Sequence, residues 1–262
     1  MTSLAGKVAL ITGASRGQGA AEARLFVQSG AAVAICDVLE DEGRALADEI
    51  GAEARFIPLD VSAPRGWAAA VDAVQSWRGR LDILVYNAGI INRSTIAGTS
   101  LEAWNRLLSV NLSGAFLGIQ AAAPAMRATG GGAIVNIASH AGFTGHSDPA
   151  YTASKWALRG LTRTAAMEFV ADGIKVNSVC PGLIVTPMTA DGPHLQPMIG
   201  MTPMERAGTV EEVAKLVRFL ASDDASFITG EDYVIDGGFL AGAAYRRVRQ
   251  DTQRLAQGAS GA

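Results

Sequence analysis

Short apolar runs rich in branched residues alternate along this chain with longer segments whose apolar positions recur every three or four residues. The runs at 7–12, 31–37, 54–59, 81–86, 132–138, 174–180 and 233–238 read as buried strands. The segments at 20–29, 41–50, 63–77, 101–126, 150–170 and 210–221 carry helical periodicity. Strand and helix exchange at least six times, which predicts an α/β fold: a parallel sheet of about seven strands covered by helices on both faces. Ligands of such sheets bind beyond the carboxyl ends of the strands. Gly13, Asp37, Asp60, Asn87, Ser139 and Pro181 all fall at those ends, and this joint placement points more strongly to a site than any one of them.

The later part of the chain is less regular. The sixth strand breaks at Pro181-Gly182, and 186–207 is rich in Pro, Gly and Met, including Met188, Met198, Met201 and Met204. Its weak periodicity and soft side chains suggest a mobile lid with an apolar lining. Residues 1–240 then form one domain. Residues 241–262, richer in Gly, Arg and Gln, read as a tail, ordered from Tyr245 onward by docking on a partner subunit.

Composition narrows the function. An α/β chain of 262 residues with 49% hydrophobic content suits a single domain with a large core. A net charge of −3 without a basic stripe excludes nucleic acid as a main partner. Met1 leads almost directly into the first strand, and no signal peptide or apolar run of about 18 residues stands out. The expectation is a soluble cytoplasmic protein with no membrane partner. Cys36 and Cys180 lie in apolar runs and read as reduced core residues. His140, His146 and His194 lack ligand spacing, so no metal site is expected.

The candidate chemistry begins after the first strand. Thr12-Gly-Ala-Ser-Arg-Gly-Gln-Gly19 joins a strand to a helix. Gly13, Gly17 and Gly19 allow close backbone approach, and the helix N-terminus favours an anion such as a phosphate. Ser15, Arg16 and Gln18 complete the loop. The second strand ends in Asp37, where a carboxylate bonds ribose hydroxyls and repels a 2′-phosphate. Arg16 pulls toward that phosphate, but no basic residue follows at Val38 or Leu39, so Asp37 favours NAD. A helix cap is the plainer role for Asp37. Asp60-Val61 stands where an adenine would lie, and Asn87-Ala88-Gly89 forms a turn tight enough to pass a cofactor.

Tyr151 and Lys155 are four residues apart, on one face of a helix. A phenol titrates near pH 10, and a nearby ammonium should lower that value. Ser139 could hold the reacting oxygen. Base, tuner and oxygen-binding partner are what removal of a proton from an alcohol needs. Asn111, inside a helical segment, needs its amide satisfied if buried.

Taken together, Thr12-Gly-x-x-x-Gly-x-Gly19, Asp60-Val61, Asn87-Ala-Gly89, Asn111, Ser139, Tyr151-x-x-x-Lys155, Pro181-Gly182 with Thr186, and Asp236-Gly-Gly238 resemble the short-chain dehydrogenase/reductase family over nearly the whole chain. Tyr151-x-Ala-Ser-Lys-Trp156, Arg159-Gly-Leu161, Val176-Asn-Ser-Val179 and Thr186-Pro-Met-Thr189 are similar to bacterial 3α(20β)-hydroxysteroid dehydrogenases and related NAD-dependent secondary-alcohol dehydrogenases. The resemblance implies a single-domain Rossmann fold and a homotetramer that pairs the 101–126 and 150–170 helices between subunits. It implies Tyr151 as general acid/base, Lys155 lowering its pKa and holding the nicotinamide ribose, Ser139 orienting the substrate oxygen, and Asn111 supporting a proton-relaying water. Ile184 and Thr186 would hold the carboxamide. Pro181, Gly182 and Met188 border that site. Two departures stand out. Tyr86 replaces the usual Asn before Asn87, and Ser139 lies twelve residues before Tyr151, one fewer than usual.

The expected activity is hydride transfer between NAD(H) and a hydrophobic, cyclic or steroid-like secondary alcohol or ketone. An NADPH-dependent 3-oxoacyl thioester reductase is the alternative that Asp37 opposes. A non-catalytic nucleotide-sensing protein is the alternative that the intact Asn111, Ser139, Tyr151 and Lys155 set opposes.

Overall fold

Alternation in the first strand, β1 (Val8–Thr12), divides the core in two. Val8 and Leu10 join one apolar cluster, while Ala9 and Ile11 join another on the opposite face. The computed structural model describes residues 2–187, 189–190 and 192–259. The other strands are β2 (Ala32–Asp37), β3 (Ala54–Pro58), β4 (Ile83–Tyr86), β5 (Gly132–Ile137), β6 (Ile174–Pro181) and β7 (Asp232–Ile235). All seven are parallel, in the order β3-β2-β1-β4-β5-β6-β7. The chain is a single α/β domain with a Rossmann-type sheet. The strand order reverses between β1 and β4, which opens a crevice at their carboxyl ends.

Helices cover both faces, as a parallel sheet requires. On one side lie α1 (Gly17–Gln28), α2 (Glu40–Ile50) and α8 (Val210–Ala221), which bring Phe26, Leu46, Val213, Val217 and Leu220 into the cluster around Ile11. On the other lie α3 (Pro64–Arg78), α5 (Gly114–Ala128) and α6 (Pro149–Phe169), which contribute Trp67, Ile119, Met126, Leu158 and Phe169 to the cluster around Leu10. A capping box starts α8: Thr209 accepts from the Glu212 amide, and Glu212 accepts from the Thr209 amide.

The segment expected as one helix over 101–126 is instead three pieces. It comprises α4 (Leu101–Leu108), a π-helical turn at Ser109–Ser113, and α5. The Tyr86 phenol, fully buried against Trp67 with ring centroids 6.2 Å apart, donates to the Val110 carbonyl inside that turn. Only glycine fits opposite the phenol, because a Cβ on Gly114 would collide with its oxygen. Local hydrophobic periodicity does not register such a turn, since its cause lies on a distant strand.

By length and mean hydropathy, Leu101–Ala128 could cross a membrane, contrary to the expectation that no such run exists. Here it is a core element: Ala115, Ile119, Ala122 and Met126 are buried inside the domain.

The 186–207 segment expected as a lid contains α7 (Leu195–Met201), and the segment expected as a tail forms α9 (Phe239–Ala259). Asp236 starts α9 by accepting from the amides of Gly238, Phe239 and Leu240. Arg246 and Gln250 then donate to the Gly200 carbonyl at 2.9 and 3.1 Å, tying α9 to α7 of the same chain. A single sequence does not show that neighbour, which is why the segment reads as a tail.

Candidate active site

The glycine loop is built for contact. Gly13 and Gly17 have φ of +62° and +58°, a region that favours glycine. A Cβ on Gly13 would lie 2.8 Å from Ala88 Cα, and one on Gly19 would lie 2.4 Å from the Gly13 carbonyl. Asn87 holds the loop from β4: its Nδ2 donates to the carbonyls of Thr12 and Gly13 at 3.1 and 2.9 Å. Its Oδ1 accepts from Gln18 at 3.3 Å. The side chains of Asn87 and Gln18 are therefore turned to the loop. Arg16 is exposed at the N-cap of α1, where no side chain caps the first turn. A Cβ on Gly17 would come into ordinary contact with Pro187 Cδ and Thr186 Cβ, at 3.8 and 3.9 Å, so the 181–187 segment lies beside the loop. Uncapped amides at a helix N-terminus suit a pyrophosphate.

Asp37 does not cap α2, whose N-cap is Leu39 with no side-chain bond, and instead binds the turn before it and the glycine loop. Its Oδ1 accepts from the Val38 and Leu39 amides at 2.8 and 3.2 Å, and its Oδ2 from Ser15 at 3.0 Å. The carboxylate closes the end of β2 onto the glycine loop and retains acceptor capacity for hydroxyls. Ser15 gives its own hydroxyl to the Leu39 carbonyl. Asp60 is exposed and binds the amide and hydroxyl of Ser62. Val61 is buried, and its carbonyl accepts from Trp67. Tyr86 turns into the core, with its phenol on Val110, so its effect on the cleft runs through the π turn.

Ser139, Tyr151 and Lys155 converge at the ends of β5 and α6. Lys155 is 4% exposed, its Nζ donates to the Ile137 carbonyl at 2.8 Å, and that nitrogen lies 5.6 Å from the Tyr151 ring centre. Burial lowers the ammonium pKa to about 8. The phenol behaves differently from the sequence expectation. Burial raises its pKa, the Ser139 hydrogen bond lowers it only in part, and the nearby Asp148 and Cys180 raise it further. The ammonium is spent on a carbonyl, so loss of water dominates. A Cβ on Gly89 would lie 3.6 Å from both Lys155 Nζ and Asn111 Oδ1. The missing side chain at Gly89 thus leaves a methyl-sized space beside the ammonium.

Asn111 is fully buried and satisfied. Its Oδ1 accepts from the Ile90 amide at 2.8 Å, and its Nδ2 donates to the Ile90 carbonyl at 2.9 Å and to Ser154 Oγ at 3.2 Å. Ser154 in turn donates to the Tyr151 carbonyl at 2.7 Å. The π turn is thereby joined to the backbone of Tyr151. Across the cleft, Gly182 packs on Asp236, Pro181 ends β6, and Thr189 Oγ1 bonds Ile184 and Thr186. Met188 lies outside the described residues.

Several contributors carry no motif. Asp148 is buried and caps α6 by accepting from the Tyr151 amide at 3.0 Å, while its other oxygen accepts from the Asn92 and Arg93 amides. Asp followed by Pro149 at the start of a helical pattern is the signal that could have found it. His146 lies beside Tyr151, in the loop where His140 and His146 are expected within reach of a substrate, while Glu22, buried on α1, has no sequence signal of its own. Among the described residues no cluster could hold a metal ion.

The crevice, the glycine loop and the Ser139–Tyr151–Lys155 cluster define a nucleotide-dependent oxidoreductase. A family model described as "Enoyl-(Acyl carrier protein) reductase" matches residues 13–240. The chain is 46% identical over 258 residues to trans-4-hydroxycyclohexanecarboxylate dehydrogenase of Sinomonas cyclohexanicum, covering 95% of this chain and 97% of that one. It is 46% identical over 243 residues to the 3-alpha-(or 20-beta)-hydroxysteroid dehydrogenase of Mycobacterium tuberculosis, covering 92% of each. It is 41% identical to cyclohexanol dehydrogenase of an Acinetobacter species, covering 90% of this chain and 95% of that one. The chain belongs to the short-chain dehydrogenase/reductase family and is an alcohol dehydrogenase of that family, whose dehydrogenases use nicotinamide cofactors. The thioester-reductase and non-catalytic readings are not favoured.

Proposed function

We propose that the protein oxidises a cyclic secondary alcohol to its ketone with NAD⁺, and runs the reverse with NADH. The observation that carries this reading is the meeting of Ser139, Tyr151 and Lys155 beside the space left by Gly89. The named activities of the relatives, on hydroxycyclohexanecarboxylate, hydroxysteroid and cyclohexanol, support a ring-bearing substrate.

Ser139 orients the substrate hydroxyl, and Tyr151 takes its proton as the carbinol carbon gives up a hydride. A bound nicotinamide would supply the hydride acceptor. Lys155 places a positive charge near the phenolate and binds ribose hydroxyls. Asn111 holds the π turn and the backbone beside them, and can support a proton-relaying water. The α1 amides with Arg16 receive the pyrophosphate, Asp37 the adenosine ribose, Asp60 and Val61 the adenine edge, and Ile184 and Thr186 the carboxamide. Asp37 supports NAD over NADP, because its carboxylate would repel a 2′-phosphate. The enzyme works in the cytoplasm as a homotetramer, with the outer faces of α4–α5 and α6 as seams between subunits.

Replacing Tyr151 with Phe should abolish oxidation of cyclohexanol while NADH still binds. Normal turnover by that variant would refute the assignment. Initial rates with NADH and NADPH on one cyclic ketone test the cofactor, and a strong preference for NADPH would overturn the role of Asp37.

A further inference from the structure

Glu22 is a carboxyl group in a place that does not support a charge. It lies on the buried side of α1 with Gly19, Ala23 and Phe26 and is fully shielded from water. Its Oε1 accepts from Gln18 Nε2 at 3.3 Å, and its Oε2 has no partner among the described residues. A helical side chain leans toward the N-terminus of its helix, so this carboxyl reaches back into the first turn of α1. The start of that turn is about 7.5 Å away along the axis.

The Gln18 amide passes the contact on. The same Nε2 donates to Asn87 Oδ1 at 3.3 Å, and Asn87 Nδ2 donates to the Thr12 and Gly13 carbonyls. A chain of side chains, from Glu22 through Gln18 to Asn87, thus joins the buried carboxyl to the backbone of the glycine loop. Its middle link uses both protons of one amide. A neutral carboxylic acid leaves that sharing undisturbed. A carboxylate would draw Gln18 to itself at the expense of Asn87. It would also set a negative charge behind the α1 amides that suit a pyrophosphate, where little water screens it.

Charges on the elements around α1 do not offset it. On α1 itself, Arg16 is exposed and Arg24 pairs with Glu49 of α2. On α2, Arg44 pairs with Glu40, and Asp41, Glu42 and Asp48 are exposed. The β1 strand has no charged residue, and Asp37 at the end of β2 accepts from three amides. On α8, Glu211 and Lys215 are exposed, Glu212 pairs with Arg206, and Arg218 donates to Ser29 at the far end of α1. Burial, countered in part by the Gln18 bond, therefore governs Glu22 and raises its pKa to about 8.

We propose that Glu22 is a positioning residue of the dinucleotide site: with its proton it keeps the glycine loop in place, and without it the hold on the pyrophosphate weakens. The inference rests on the glycine loop as the pyrophosphate site and is independent of which alcohol is oxidised. By linkage, the dinucleotide then binds with uptake of a proton.

The test titrates NADH into the wild type, Glu22→Gln and Glu22→Leu at pH 6.5, 8 and 9. Nicotinamide fluorescence reads binding, and circular dichroism checks the fold. Glutamine keeps an acceptor for Gln18 and cannot ionise, whereas leucine keeps the bulk and loses the bond. Lys155 titrates over the same range in all three proteins, so the contrast between them isolates Glu22. From pH 6.5 to 9 the wild-type Kd should rise about fivefold more than that of Glu22→Gln. Calorimetry at pH 8, in two buffers of different ionisation enthalpy, should show the wild type taking up about 0.4 of a proton more per NADH than Glu22→Gln. At pH 6.5 Glu22→Gln should bind as tightly as the wild type, and Glu22→Leu more weakly. Parallel Kd profiles for wild type and Glu22→Gln, equal proton uptake, or full affinity of Glu22→Leu at pH 6.5 would overturn the inference and leave the dinucleotide site standing. A wild type that binds neither NADH nor NADPH would sink that site, and the inference with it.

Discussion

At the scale of the residue, the titration of Tyr151, the proposed proton-transfer group, is set by burial as much as by its neighbours. Burial pushes the Tyr151 phenol above its ordinary value, and Lys155 is drawn down to about 8. Oxidation needs the phenolate and reduction needs the phenol. The kcat/KM for alcohol oxidation should therefore climb as pH rises from 7 toward 10, while that for ketone reduction falls. Two flat profiles would remove Tyr151 from the rate-determining proton transfer. The sequence made the identities of Ser139, Tyr151 and Lys155 legible, because their spacing sits at the ends of predicted elements. It did not give the balance of pKa effects, which depends on how much water the fold removes. Glu22 makes the same point. It is fully buried on α1, touches Gln18 at 3.3 Å, leaves Oε2 without a partner, and has its pKa raised to about 8 by burial. The folded state thus keeps a proton that the unfolded chain loses near 4.5. Stability should fall as pH rises from about 4.5 to about 8, and level off above. Glu22→Gln removes this slope. Its melting temperature should gain on the wild type by several degrees between pH 5 and 8, and parallel curves would refute the buried protonated acid.

At the scale of the element, the prediction worked where periodicity is local and failed where a distant side chain decides. The strands follow from apolar runs, whereas the Asp148-Pro149 pair that starts α6 is a cap signal that periodicity over 150–170 passes over. The π turn follows from neither, because its cause is the Tyr86 phenol on β4 reaching Val110. Tyr86 first registers as a departure from a motif next to the cofactor, yet its ring points into the core. Its consequence is indirect: Val110 precedes Asn111, which bonds Ile90 and Ser154, and Ser154 bonds the Tyr151 backbone. Tyr86→Phe keeps the stacked ring and deletes the donor, leaving a buried carbonyl without its partner. Stability to denaturant should fall by about 1–3 kcal/mol, the usual cost of such a group. The kcat should drop more than the KM for NAD⁺, because the disturbed turn supports Asn111 and Tyr151 while the glycine loop is held separately by Asn87. An unaltered kcat would confine Tyr86 to packing.

At the scale of the whole molecule, the apolar surface that remains exposed argues for assembly. On α6, Trp156 and Met167 are 49% and 81% exposed, Gly160 and Arg163 fall on the same stripe at helical spacing, and Val170, just past the helix end, is 59% exposed. A Cβ on Gly160 would meet nothing within 4 Å, so a second helix could approach closely there. On α5, Phe116 is 50% exposed in a row with Gln120 and Pro124. These rows lie on the outer sides of helices whose inner sides build the core, so folding one chain cannot bury them. Their pairing between copies would also brace the helices that carry Tyr151 and Asn111, which links assembly to turnover. Met167→Glu places a charge in the middle of the α6 row. The assembly measured by light scattering should break into smaller species, and kcat should fall, while the isolated subunit remains folded by circular dichroism. A variant of unchanged mass would rule out α6 as a seam and leave Trp156, Met167 and Val170 as solvent-facing residues.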